Sequence, residues 1–202
     1  MSKTKNSSTK AALNRGPFPV IVLIVACTIC TLLLALINGI TAEAREQQRM
    51  LKITQNRQLL FPEGKDFSEL DVADLQPETG NLTALAQVTD QSGQELGYIA
   101  ESNAPGYGGL VNVMVGINTE GKIVGVRILD NSETAGLGKK VENDSFRNQF
   151  NELSATDRYS ARNNPEYKKI DAVSGATISS EAVSQSINIA CDAWQAVAGG
   201  TR

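Results

Sequence analysis

From Phe18 to Ile40 the chain carries no charged residue, and this run constrains the architecture more than any other feature. As an α-helix it is about 34 Å long, enough to cross a hydrocarbon core of about 30 Å. Ala42-Glu43-Ala44 has the look of a signal-peptidase site, but signal peptides have apolar regions of only about 7–15 residues, so an uncleaved anchor over 18–40 is expected. Lys3, Lys5, Lys10 and Arg15 precede the span with no acidic residue among them, which favours a cytoplasmic tail over 1–17. Arg45, Arg49, Lys52 and Arg57 follow it, so the basic count on its own decides little. Cys27 and Cys30 share one helix face inside the span. A metal or iron–sulfur centre needs about four thiolates, so two small apolar thiols in a lipid-embedded helix are the simpler expectation.

Composition removes several chemistries. Among 202 residues of net charge −3 there is no histidine, which excludes Ser–His and Cys–His nucleophiles and the commonest zinc ligand. Cys27, Cys30 and Cys191 make no even disulfide framework. The mild acidity offers no basic surface for nucleic acid. No metal site is expected, so any redox chemistry must come from a bound cofactor.

Beyond the span, Thr41 to Leu60 is polar, with Met50, Ile53 and Leu60 at roughly helical spacing, and predicts a helical stalk that Phe61-Pro62-Glu63-Gly64 terminates. Asp66 to Gly80 is acidic and contains proline, which predicts a connecting segment with one short helical turn. This division gives a stalk and linker over 41–80 and a folded domain over 81–202. Four β patterns open the domain. Leu82–Thr89 and Glu95–Ser102 are joined through Asp90-Gln91-Ser92-Gly93, and Leu110–Ile117 and Lys122–Leu129 through Asn118-Thr119-Glu120-Gly121, both plausible hairpins. Val111, Val113, Val115 and Ile117 alternate with Asn112, Met114 and Gly116; Ile123, Gly125, Arg127 and Leu129 alternate with Val124, Val126 and Ile128. Such period-two patterning places one face in a core. Phe146–Leu153 suits a short helix. Ser179–Ala198 places Val183, Ile187, Ala190, Trp194 and Val197 on one stripe, an amphipathic helix with Cys191 and Trp194 as core residues. The predicted class is α+β, an antiparallel sheet with helices on one side or end, preceded by one transmembrane helix.

The segment Asp171-Ala172-Val173-Ser174-Gly175-Ala176-Thr177 joins a short β-rich run to that last helix. A helix N-terminus presents unpaired N–H groups and a partial positive charge, a natural seat for phosphate. Ser174, Gly175 and Ala176 are small enough to let a bulky group approach the backbone. A capped strand-to-helix turn accounts for the same residues about as well. Two glycine-rich loops, Pro105-Gly106-Tyr107-Gly108-Gly109 and Glu133-Thr134-Ala135-Gly136-Leu137-Gly138-Lys139, sit at strand ends. Singly they read as turns, and neither opens a helix as a dinucleotide fingerprint does.

Taken in order, G-Y-G-G-L-V-N-V-M-V-G-I, G-K-I-V-G-V, E-T-A-G-L-G and D-x-x-S-G-A-T resemble the full run of the FMN-binding domain family. In that family a flavin transferase moves FMN from FAD onto the threonine hydroxyl, leaving a phosphoester. The resemblance implies a covalent FMN on Thr177, approached through Ser174, Gly175 and Ala176. It also implies that Glu133, Thr134, Gly136, Leu137 and Gly138 line the flavin, with Leu137 against the ring. Asp171 would serve recognition by the transferase or cap the turn. Two positions depart from the pattern: Ala135 stands where the family often has proline, and Asn131 and Ser132 stand where it often has histidine before the glutamate. These departures bear on the loop conformation more than on flavin attachment.

A basic tail, one anchor and a terminal FMN-binding domain resemble the G subunits of Rnf-type membrane ferredoxin:NAD oxidoreductases. This implies an inner-membrane, single-pass electron carrier with its domain on the outer side. It would work with other subunits of an ion-translocating complex, coupled to Na+ or H+, and would have no independent catalysis. The C subunits of Na+-translocating NADH:quinone oxidoreductases are similar but usually longer. A stand-alone reductase would normally need a fused catalytic domain that this length does not accommodate. An anchored binding or assembly protein without cofactor would lack attached flavin.

Overall fold

The computed structural model describes residues 17–75 and 80–199. The basic tail that suggests a cytoplasmic N-terminus, linker residues 76–79 and residues 200–202 lie outside the described residues. The chain forms two compact units, Met1–Leu51 and Lys52–Arg202. Helix α1, Phe18–Leu60, runs unbroken through the apolar span and the polar stretch after it, as the helical spacing predicts. In the first unit Phe18–Thr41 is, among the described residues, the one stretch of helix long and apolar enough to cross a membrane. Its side chains from Phe18 to Ile40 are exposed all round, the state of a lone apolar helix whose solvent is lipid.

The second unit is built on a five-stranded meander. Strands β1 (Asp66–Leu70), β2 (Asn81–Thr89), β3 (Glu95–Pro105), β4 (Leu110–Asn118) and β5 (Ile123–Asn131) lie in the order β1-β2-β3-β4-β5, every neighbour antiparallel. A short helix α2 (Asp144–Arg147), a 3-10 turn (Asn148–Phe150), a small parallel pair β6 (Tyr159–Ser160) and β7 (Lys168–Lys169), and helix α3 (Thr177–Gly199) follow.

Strand β1 falls in the segment that the sequence marks as connecting. It pairs with β2 in the register Phe67↔Val88 and Glu69↔Ala86. Asp66, Ser68 and Glu69 are exposed on it, and such charged residues are how edge strands avoid pairing with other chains. They also hide the strand from a pattern search. The short helix expected over 146–153 is instead split between α2 and the 3-10 turn, consistent with Asn148 and Asn151 favouring turns over helix interiors.

Both faces of the sheet are covered, where the sequence predicts helices on one side or end. On one face Val183, Ile187 and Ala190 of α3 join Val111, Val113, Val115, Ile123 and Val126 in the main core. On the other, Ile53 and Leu60 from the end of α1, with Phe61, close over Val88, Ile99 and Met114. The alternation in β5 breaks at a bulge: Gly116 pairs with Gly125 but Ile117 with Ile123, which leaves Val124 over. One extra residue reverses the parity of a strand. Ile123 and Val126 therefore share the α3 core, while Val124 packs on the opposite face.

The paired Gly116 and Gly125 make room for the α1 end. A Cβ at Gly125 would lie 2.8 Å from Leu60 Cδ2, and one at Gly116 would lie 3.1 Å from Phe61 Cε2. Gly125→Val should therefore overpack this seam and lower stability by about 1–3 kcal/mol, read as a drop in the thermal unfolding midpoint. An unchanged midpoint would show that Leu60 does not seat there.

Polar side chains fix α3 to its neighbours. Asn188 Oδ1 accepts from Tyr159 N–H at 2.9 Å and its Nδ2 donates to Tyr159 O at 2.9 Å. Glu181 Oε2 accepts from Ser160 Oγ and the Ala161 N–H. Cys191 is fully buried, and burial pushes its thiol up to about 12, so it is an inert core residue.

Candidate functional site

The chain enters α3 through a tight turn. Ala176 N–H donates to Val173 O at 2.9 Å, and Gly175 at the third position of that turn has φ +74°, which a residue with a Cβ adopts only with strain. Ser180 fastens the turn from inside the helix: its Oγ accepts from Val173 N–H at 3.0 Å and donates to Ala176 O at 3.0 Å.

This entry leaves the helix end open. Ala176 occupies the cap position and has no side-chain oxygen to cover the first amides. The first turn carries no acidic residue, and the N–H groups of Thr177, Ile178 and Ser179 have no acceptor within the helix. The helix end therefore presents its partial positive charge at the point where Thr177 stands, with no carboxylate of its own first turn beside it. Thr177 is exposed, and its hydroxyl makes no hydrogen bond among the described residues.

Thr177 lines a cleft of about 630 Å³ with Gly175, Ala176, Ile178 and Ser179 from the α3 entry, Glu133, Thr134, Leu137 and Gly138 from the loop after β5, and Tyr107 from the loop between β3 and β4. The structure thereby brings seven of the sequence-predicted site residues to one cleft. Ser174, Gly136 and Asp171 lie outside this lining. Asp171 is held through its backbone by Gln149, which accepts from its N–H at 2.9 Å and donates to its carbonyl at 3.2 Å. Tyr107, Ile178 and Ser179 are additions. Tyr107 sits in a glycine-rich loop that the sequence singles out without assigning residues, whereas Ile178 and Ser179 simply follow Thr177 in the chain.

Glu133 ties the three segments together. It is 4% exposed; Oε1 accepts from the N–H groups of Tyr107 at 2.8 Å and Gly108 at 3.1 Å, and Oε2 accepts from Ser179 Oγ at 2.7 Å. Gly138 is small because a Cβ there would lie 2.6 Å from Glu133 Oε2 and 2.7 Å from Ser179 Oγ. The two departures from the family pattern are absorbed locally. Asn131 Oδ1 accepts from Glu133 N–H at 3.0 Å and its Nδ2 donates to Glu142 Oε1 at 2.6 Å. The loop around Ala135 is closed by the N–H groups of Leu137 and Lys139, both 3.2 Å from Thr134 O.

The residues present fit FMN. The volume lies in the usual range for ligand pockets, about 300–1,000 Å³. Open helix amides suit the phosphate. Tyr107, Leu137 and Ile178, exposed by 73%, 47% and 44%, give apolar surface for a ring. The FMN-binding domain family model matches residues 106–192, which spans all three cleft segments and defines the domain as an FMN-binding domain.

The relatives narrow the class. The G subunit of the ion-translocating oxidoreductase complex of Pectobacterium atrosepticum is 31% identical over 78% of this chain and 79% of its own length. The like-named protein of Methanosarcina acetivorans is 28% identical over 86% of this chain and 91% of its own. The G subunit of the proton-translocating ferredoxin:NAD(+) oxidoreductase complex of Clostridium ljungdahlii is 25% identical over 99% of this chain and 100% of its own. The chain belongs to the family of G subunits of Rnf-type ion-translocating oxidoreductase complexes.

Proposed function

We propose that this chain is the membrane-anchored flavoprotein subunit of an ion-translocating ferredoxin:NAD oxidoreductase complex, with FMN joined to Thr177 Oγ1 by a phosphoester. The observation that carries the attachment is the unbonded, exposed hydroxyl of Thr177 at an uncapped helix start inside a ligand-sized cleft. Attachment follows as a group transfer by a flavin transferase: Thr177 Oγ1 displaces AMP from FAD, the phosphorus–oxygen bond to Thr177 forms, and the hydroxyl proton leaves with the AMP side.

The chain's own residues hold and orient. The amides of Thr177, Ile178 and Ser179 would hold the phosphate, Thr134 and Gly138 would line the cofactor, and Leu137, Ile178 and Tyr107 would shield its ring. Bound FMN supplies one-electron transfer, so the protein's part is binding, orientation and electrostatics. A tether through α1 raises the effective concentration of the flavin at partner subunits.

After denaturing electrophoresis, the full chain co-expressed with a flavin transferase should show a flavin-fluorescent band. A dark band of normal abundance would remove the covalent reading and leave an anchored binding protein. Orientation is tested separately. With the tail cytoplasmic and the domain outside, protease added to intact spheroplasts should digest the domain; protection would reverse the topology.

A further inference from the structure

We infer that Glu133 is a charge that holds down the reduction potential of the cofactor in this cleft, in addition to bracing the loops. The inference rests on the proposal that FMN occupies the cleft. Among the lining residues Glu133 is the one charged side chain. Its carboxylate has three partners, two backbone N–H groups and the Ser179 hydroxyl. The two N–H groups can only donate and the hydroxyl is free to donate, a partner set that suits a carboxylate, and none of the three is a cation. Lys139 and Lys140 follow in sequence but are exposed and lie outside the lining, where solvent and salt screen them. A buried carboxylate is screened far less.

A one-electron reduction, with the electron supplied by dithionite through mediators, adds one negative charge to the flavin unless a proton follows. A fixed negative charge on the wall of the same cleft opposes that step and so lowers the potential. Glu133 is a positioning residue in its contacts with Tyr107, Gly108 and Ser179; its charge is a separate property and separable by substitution. In Glu133→Gln the amide oxygen can keep both backbone N–H bonds, while the amide nitrogen donates to Ser179 Oγ, which rotates to accept. The charge goes, both backbone contacts stay, and the Ser179 contact is kept with its direction reversed. Ser179→Ala does the reverse, keeping the charge while removing the one hydroxyl that offsets it.

Full-length chain in detergent, co-expressed with a flavin transferase, should be titrated with dithionite and mediators alongside both variants. Attachment is checked by intact mass and folding by thermal unfolding. Glu133→Gln should raise the potential, by on the order of tenfold in the reduced-to-oxidised ratio at fixed applied potential, about 59 mV for one electron. Ser179→Ala should lower it. A purely bracing role would lower the unfolding midpoint in both variants without these opposite shifts, and an unshifted Glu133→Gln would overturn the inference. If Glu133→Gln takes up no flavin, Ser179→Ala decides: a lowered potential supports the inference, and an unchanged or raised one overturns it. Absence of the flavin mass from wild-type chain is a separate result, which removes the attachment proposal itself.

Discussion

Thr177→Ala should yield a folded, colourless protein and membranes unable to pass electrons between ferredoxin and NAD, although the complex still assembles. The expected loss is chemical, because the variant removes the proposed acceptor oxygen and little else. Thr177 is exposed and its hydroxyl supports no hydrogen bond among the described residues, and surface substitutions of this kind usually stay within about 0.5 kcal/mol. The turn that sets up the helix start is fastened by Ser180 and Gly175, neither of which the substitution touches. Thr177→Ser keeps the hydroxyl and should retain partial attachment. Ferredoxin:NAD activity in Thr177→Ala membranes equal to wild type would take the bound flavin out of the electron path.

The second large effect is on stability and lies away from the cleft. Arg57, near the end of α1, pairs with Glu69 of β1 at 2.7 Å and with Glu101 of β3 at 3.0 Å. Glu101 is buried at 6% exposure. Burial on its own would lower the Arg57 pKa, but hydrogen bonds and attraction to the two carboxylates outweigh it and raise it. Arg57→Ala strands the buried Glu101 carboxylate without a cation, and breaking such a pair costs about 3–5 kcal/mol. The unfolding midpoint of the full chain in detergent should fall accordingly. The double variant Arg57→Met/Glu101→Leu, which removes both charges and fills the space, should recover most of the loss. Recovery no better than the single variant would mean that the ion pair, and not relief of a stranded charge, holds the α1 end to the sheet.

How far the sequence disclosed this molecule depended on whether the signal was local. The apolar span, the helix end at Leu60 and the strands of the two hairpins rest on periodicity and turn chemistry that neighbouring residues carry on their own. Strand β1 was not legible, because Asp66, Ser68 and Glu69 give an edge strand the composition of a linker. The parity of β5 was also out of reach: Val124 is bulged only because of how Gly116 and Ile117 pair across the sheet. The second face of the sheet is covered by Leu60 and Phe61, and the glycines that admit them, Gly116 and Gly125, meet only after folding.

The cleft divides in the same way. Thr177, Gly175 and Ala176 form one continuous motif at a helix start, so their adjacency was readable. Glu133 was readable as a candidate lining residue, but not as the brace joining Tyr107, Gly108 and Ser179, since those partners lie 25 or more positions away in the chain. Tyr107 entered the cleft through that brace. Asp171 belongs to the motif by sequence, yet its backbone is bonded to Gln149 instead of lining the cleft.

The most direct measurement is the intact mass of the full-length chain co-expressed with a flavin transferase, followed by fragmentation of the peptide that contains Thr177. The expected result is a single added FMN, less the water lost in forming the phosphoester, located on Thr177 and absent from Thr177→Ala. An unmodified mass, or an FMN located on any other residue, would contradict covalent attachment at Thr177.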